Sequence, residues 1–144
     1  MPINSQRVLI GGAAAGVVGN IVGFVGFGLL LGPRMRAEAI AVAPAIESSA
    51  MTGAAMATNI AVQFVIGVLM VWLFAAMRPR LGPGMKTAAC AALAVWVCGL
   101  VFHVDWLLVG MMSMTSYVLA SALALVQVLV SAAAGASLYS ETAG

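Results

Sequence analysis

Apolar residues run along this chain in four long blocks, and short stretches between the blocks gather nearly all of the charge. The blocks are Val8 to Leu31, about Met51 to Met77, Thr87 to about Val104, and about Ser116 to Tyr139. A helix that crosses a bilayer needs roughly 20 consecutive apolar residues, and each block reaches or approaches that length. Strands of a membrane barrel are about ten residues long and alternate in polarity. These blocks are longer, do not alternate and are rich in Ala and Leu, which favours helix. In lipid the backbone must satisfy its own hydrogen bonds, and a helix does so within one segment. The pattern predicts an all-α, four-helix transmembrane bundle: a single transmembrane domain over residues 1–144, with helices at about 8–31, 51–77, 87–104 and 116–139.

The connections differ in kind. Gly32 to Ala50 is the longest and holds Arg34, Arg36, Glu38 and Glu47. Its stretch Met35 to Ala43 is Ala-rich and predicts a short helix lying at the membrane interface. Arg78 to Lys86 carries three cations, two prolines and two glycines, the composition of a tight turn. Asp105 to Thr115 includes Trp106-Leu107-Leu108-Val109, too apolar for a free loop, and is expected in the headgroup zone. Arg7 ahead of the first block invites comparison with a signal peptide, but a signal core is roughly 7–15 residues and this run has 24. It is read as a retained first helix. Leu31-Gly32-Pro33-Arg34-Met35 echoes Leu81-Gly82-Pro83-Gly84-Met85, but one follows a helix and the other precedes one, so no duplication is expected.

Composition strengthens the membrane reading. Of 144 residues, 64% are hydrophobic and 7% charged, against roughly 25% charged in soluble domains. Ten charged residues cannot cover a soluble surface. Lipid is therefore the first expected partner, and other transmembrane subunits, or further copies of this chain, the second. The net charge of +2 is too small to point to nucleic acid. Cations set the orientation: Arg7, Arg78, Arg80 and Lys86 stand on one side against Arg34 and Arg36 on the other, which favours both termini in the cytoplasm of a bacterial inner membrane. Trp106 and Tyr117 then fall near the outer interface and Tyr139 near the inner one, as expected of aromatic belts.

Packing signals dominate chemical ones. Gly12, Gly16, Gly19, Gly23 and Gly26 are spaced 4, 3, 4, 3 and fall within a stripe about 80° wide on a regular helix. Such a seam lets another helix approach closely. The neighbour is a helix of the same chain, a partner subunit, or a bound ligand or pigment. Asn20 lies beside the seam, Asn59 and Gln63 share a face of the second helix, and Gln127 and Ser131 share a face of the fourth. Amides in lipid glue helices together, at about 0.6–2 kcal/mol each, or line a polar path for a solute.

Candidate chemistry is sparse. His103 is the only histidine, on the face of Trp96 and Gly99, and is the candidate axial ligand for a haem or chlorophyll-type pigment. The bland alternative is a hydrogen-bonded interfacial residue, and no cofactor is expected. Asp105 has Arg34 or Arg36 as its candidate ion-pair partner. Cys90 and Cys98 are about 12 Å apart along one helix, too far for a disulfide, and read as packing residues. No metal site is expected. Cys-x-x-Cys, His-Glu-x-x-His and Gly-x-Ser-x-Gly are all missing, which argues against an enzyme.

Arg7-Val8-Leu9-Ile10-Gly11-Gly12 with Gly16 and Asn20, Trp72-Leu73-Phe74-Ala75-Ala76-Met77 followed by Arg78-Pro79-Arg80-Leu81-Gly82-Pro83-Gly84, Ala94-Val95-Trp96, and Ala134-Gly135 with Leu138-Tyr139 resemble a group of uncharacterised small bacterial membrane proteins with four predicted spans. That resemblance implies the four-span architecture and no activity. Small multidrug transporters are similar in length only, since the carboxylate of their first helix has no counterpart here. The expected function is a non-catalytic membrane subunit, an accessory component of a larger assembly, for which respiratory and photosynthetic complexes are natural hosts. The alternatives are a small transporter or channel lined by Asn20, Asn59 and Gln63, and pigment binding through His103.

Overall fold

The computed structural model describes residues 3–45 and 52–140. Helix α1 covers Ser5–Gly23 and runs directly into a π-helical segment, Phe24–Leu30. Then come α2 (Gly32–Val42), α3 (Gly53–Leu81), α4 (Met85–Leu108) and α5 (Met114–Leu138). Four stretches are long and apolar enough to cross a membrane: α1 with its π segment, α3, α4 and α5. The chain is an integral membrane protein built as an all-helical bundle, with no strand among the described residues.

Side chains start three of the four spans. Asn4 accepts from the Arg7 N–H at 3.1 Å, Thr52 from Ala55 at 3.2 Å and Ser113 from Ser116 at 3.2 Å. Each satisfies a backbone donor that a helix N-terminus leaves open. The elements depart from the sequence reading at their ends. Arg78-Pro79-Arg80, expected in a turn, lies inside the last turn of α3. The turn itself is only Gly82-Pro83-Gly84, where Gly82 (φ 80°) and Gly84 (φ 122°) take backbone conformations that disfavour a side chain. The Thr87 hydroxyl donates to Gly82 O at 2.6 Å and closes it. Helix α4 continues through Asp105 to Leu108, four residues past the expected end. The short helix expected over Met35 to Ala43 is present as α2. Both Leu-Gly-Pro stretches join one helix to the next. Glu47 and the expected helix start at Met51 lie outside the described residues.

The spans alternate in direction. Helix α1 packs against α3 and α5, α4 packs against α5 and α3, and α1 and α4 take opposite corners. The first and last spans meet at one end, where the backbone N–H of Asn4 donates to the Tyr139 hydroxyl at 3.4 Å. Burial concentrates at that end: Val8, Met70, Val71, Phe74, Ala75, Ala88, Ala91, Ala92, Ala132 and Tyr139 form the core. Three alanines of α4 are buried there, and their short side chains let its backbone come close.

Candidate functional site

The glycine seam is spent inside the bundle, and it changes partner as α1 rises. A methyl group added at Gly12 would stand 2.5 Å from Val68 Cα, and one at Gly16 2.9 Å from Phe64 Cα, so these two glycines lie against the backbone of α3. At Gly19 the added carbon meets both neighbours, Gln63 Oε1 of α3 at 3.3 Å and Ser131 Oγ of α5 at 3.2 Å. At Gly23 it meets Gln127 Nε2 of α5 at 2.8 Å, and at Gly26 the side chain of Leu123 of α5. The seam therefore starts on α3 and ends on α5. Gly67 and Gly135 complete it from the other side, with added carbons 2.5 Å from Gly12 O and 2.9 Å from Gly11 O respectively. Neither stood out in the sequence, because a single glycine in a helix carries no spacing signal.

The π segment lies where this transfer is completed. Its wider winding is fixed by Leu31 N–H donating to Gly26 O, five residues back, at 2.9 Å. Seven residues wound this way still aim Gly26 at α5.

Asn20 donates to Gly16 O at 2.9 Å and reaches Ile60 O of α3 at 3.4 Å. Gln127 is buried and donates to Gly19 O at 2.8 Å, tying α5 to α1. Gln63 faces Gln127 across a cavity with about 10 Å³ of space for the centre of a water-sized sphere, which Ser131 also lines. Asn59 is not with them. It is exposed, and its amide donates to Ala55 O of its own helix at 3.1 Å. The structure thus brings Asn20, Gln63 and Gln127 to one level of the bundle and leaves Asn59 on the outside.

His103 is exposed on α4, with Nδ1 2.8 Å from Gly99 O. A carbonyl can only accept, so Nδ1 carries the proton and a neutral ring keeps its lone pair on Nε2. Trp96, on the same face, donates from its indole to Ser121 O of α5 at 2.8 Å. Tyr117 is half-buried and Tyr139 buried, and both make contacts within the bundle. The Tyr117 hydroxyl donates to Leu100 O at 3.1 Å. Tyr139 stacks edge-on against Phe74, with centroids 5.9 Å apart, and the Arg78 guanidinium lies 5.4 Å from its ring centre. Trp106 remains half exposed. Cys90 and Cys98 are free thiols on exposed positions of α4, so they are not the packing residues expected.

At the opposite end from Asn4 and Tyr139, α2 is clasped to the start of α5. Arg34 pairs with Glu38 at 3.2 Å and donates to Ser116 Oγ at 2.9 Å, so it is engaged by Glu38 and not by Asp105. Glu38 accepts from the Ser113 N–H, the Ser113 hydroxyl and the Ser116 hydroxyl, each at 2.9 Å. The carboxylate sits on the N-terminus of α5, where helix donors and the helix dipole favour negative charge. The Ser113 backbone hydrogen bond, aided by the two hydroxyls and Arg34 against some desolvation, lowers its pKa to about 2. Sequence reading gave Glu38 no role, since a contact 75 residues away leaves no local trace.

One further pattern appears only with the bundle in view. Gly53, Ala57, Ile60, Phe64, Gly67, Val71 and Phe74 follow the same 4, 3 spacing on α3. The lower members are covered: Gly67, Val71 and Phe74 are buried and Phe64 is half-buried against Gly16. Above them every residue from Met56 to Val62 is exposed, as is Gly53. Apart from the Asn20 amide on Ile60 O, the upper seam of α3 is thus left exposed where α1 crosses to α5.

Comparison of the chain with protein-family models, curated proteins and solved structures finds no match.

Proposed function

We propose that this protein is a non-catalytic subunit of a larger membrane assembly, seated in a bacterial cytoplasmic membrane with both termini inside. The observation that carries this reading is the uncovered upper seam of α3. Exposed Leu and Val need no explanation in lipid. A continuation of the packing stripe in small residues is different, because helices associate in lipid through close backbone approach and cross-helix hydrogen bonds. Gly53 and Ala57 give a flat surface at the spacing that the rest of the helix uses for contact. The glycine seam of α1 is occupied by α3 and α5, so α3 takes over its role as the partner surface.

The partner is a transmembrane helix of another subunit. Extraction in mild detergent followed by native mass measurement tests this. The expected result is a complex with a second protein, lost in Ala57→Phe while the free chain melts at its usual temperature. A lone monomer from native membranes, or a complex indifferent to Ala57→Phe, would overturn it. A complex containing only this chain would replace the partner subunit with a second copy.

A further inference from the structure

We infer that Gln63, Gln127 and Ser131 hold one buried water molecule at the level of Gly19, where α1 changes partner from α3 to α5. Three observations carry this. Ser131 is buried, 4% exposed, and its hydroxyl has no hydrogen-bond partner in the protein. A hydroxyl in a membrane helix normally donates to a carbonyl of its own preceding turn. Thr58 does so to Ala54 O at 2.9 Å, Ser121 to Tyr117 O at 2.7 Å and Ser137 to Ala134 O at 2.7 Å. Ser131 forgoes that bond and points into the cavity.

The second observation is convergence. Ser131 Oγ and Gln63 Oε1 both lie within 3.3 Å of the point where a side chain at Gly19 would begin, and Gln127 Nε2 lies 4.0 Å from it. Gln127 uses one amide hydrogen on Gly19 O, which leaves its other hydrogen and its oxygen to serve a ligand. The third is size. The cavity offers about 10 Å³ to the centre of a water-sized sphere, and a single water needs roughly 10–15 Å³ by that measure together with two to four polar partners. A cation fits poorly. Hard cations bind through several oxygens, commonly carboxylates, and no carboxylate lines this cavity.

The water supplies the hydrogen bond that Ser131 would otherwise lack, and an unmet hydroxyl in an apolar interior is destabilising. It also links α3, through Gln63, to α5, through Gln127 and Ser131, at the level of Gly19. Water-to-protein cross-relaxation, measured by NMR on the unsubstituted chain in nanodiscs, tests the site directly. A cross-peak from water to the Gln127 side-chain amide is expected, and its absence would overturn the proposal. Thermal melting gives the second readout. Ser131→Ala is expected to melt several degrees lower, and Ser131→Ala combined with Gln63→Leu little lower than Ser131→Ala alone, since both remove one shared ligand. Ser131→Ala melting at or above the parent temperature would mean that the hydroxyl is unmet in the native bundle, and the proposal fails. A melting temperature that rises with sodium or potassium at constant ionic strength would place a cation there instead, and would also overturn it.

Discussion

At the residue scale, glycines that look alike in sequence have opposite meanings. Gly12 faces a backbone that cannot yield, since its added methyl would sit 2.5 Å from Val68 Cα. Gly12→Ala is expected to cost about 1–3 kcal/mol through overpacking, seen as a lower melting temperature. Gly99 has nothing within 4 Å of an added carbon and lies in the middle of α4. Gly99→Ala is expected to stabilise by about 0.4–1 kcal/mol, by narrowing the unfolded ensemble. A destabilised Gly99→Ala would show that this position has a neighbour. Glu38 gives a pH signature. Its folded pKa of about 2 lies below the ordinary value of 4.5, so its contribution is fully present above pH 4.5 and is lost as pH falls from there toward 2. The melting difference between the parent chain and Glu38→Gln should therefore be largest near neutral pH and close to zero at pH 2. A difference that persists unchanged at pH 2 would remove the carboxylate from the clasp.

At the scale of elements, each span is joined to its neighbours by a few named contacts over a bed of small residues. Helix α4 illustrates the division of labour. Ala88, Ala91 and Ala92 are buried at the end where α1 begins and α5 finishes. Higher up, Trp96 donates to Ser121 O and Tyr117 donates back to Leu100 O. Cross-helix hydrogen bonds in membranes average about 0.6 kcal/mol and reach about 1.7. Tyr117→Phe keeps the ring and removes the donor to Leu100 O, so a loss within that range is expected from unfolding titration in mixed detergent. The π segment belongs to the same scale. No residue type between Phe24 and Leu30 announces it, because seven-residue π winding is a response to what the helix must face, here Leu123 of α5 against Gly26. The end of α3 was misread for a related reason. Pro79 signals a break, but it removes only its own bond to the Ala75 carbonyl; Gly82 N–H still donates to Arg78 O, and the chain stays helical to Leu81.

At the scale of the whole molecule, the bundle is tight where the start of α1 meets the end of α5 and open at the other end along α3. The two loops predict the orientation by experiment. With Cys90 and Cys98 replaced, a cysteine at 36 should be labelled from outside intact cells, and one at 84 only after permeabilisation. The reverse pattern would invert the protein in its membrane. The sequence by itself determined that the chain crosses a bilayer, how many helices do so, the surface helix between the first two, and that α1 needs a close neighbour. Those follow from hydrophobic length and from spacing along one helix, which are local properties. The tertiary structure alone decided which helix that neighbour is, and that it is two helices in succession. It also decided that Gln63 and Gln127 line one cavity while Asn59 does not, that Glu38 caps a helix 75 residues away, and that the seam of α3 is half covered. These depend on the rotation and crossing of helices whose faces are all apolar, and in lipid every such face is tolerated, so the pattern along the chain cannot say which one packs.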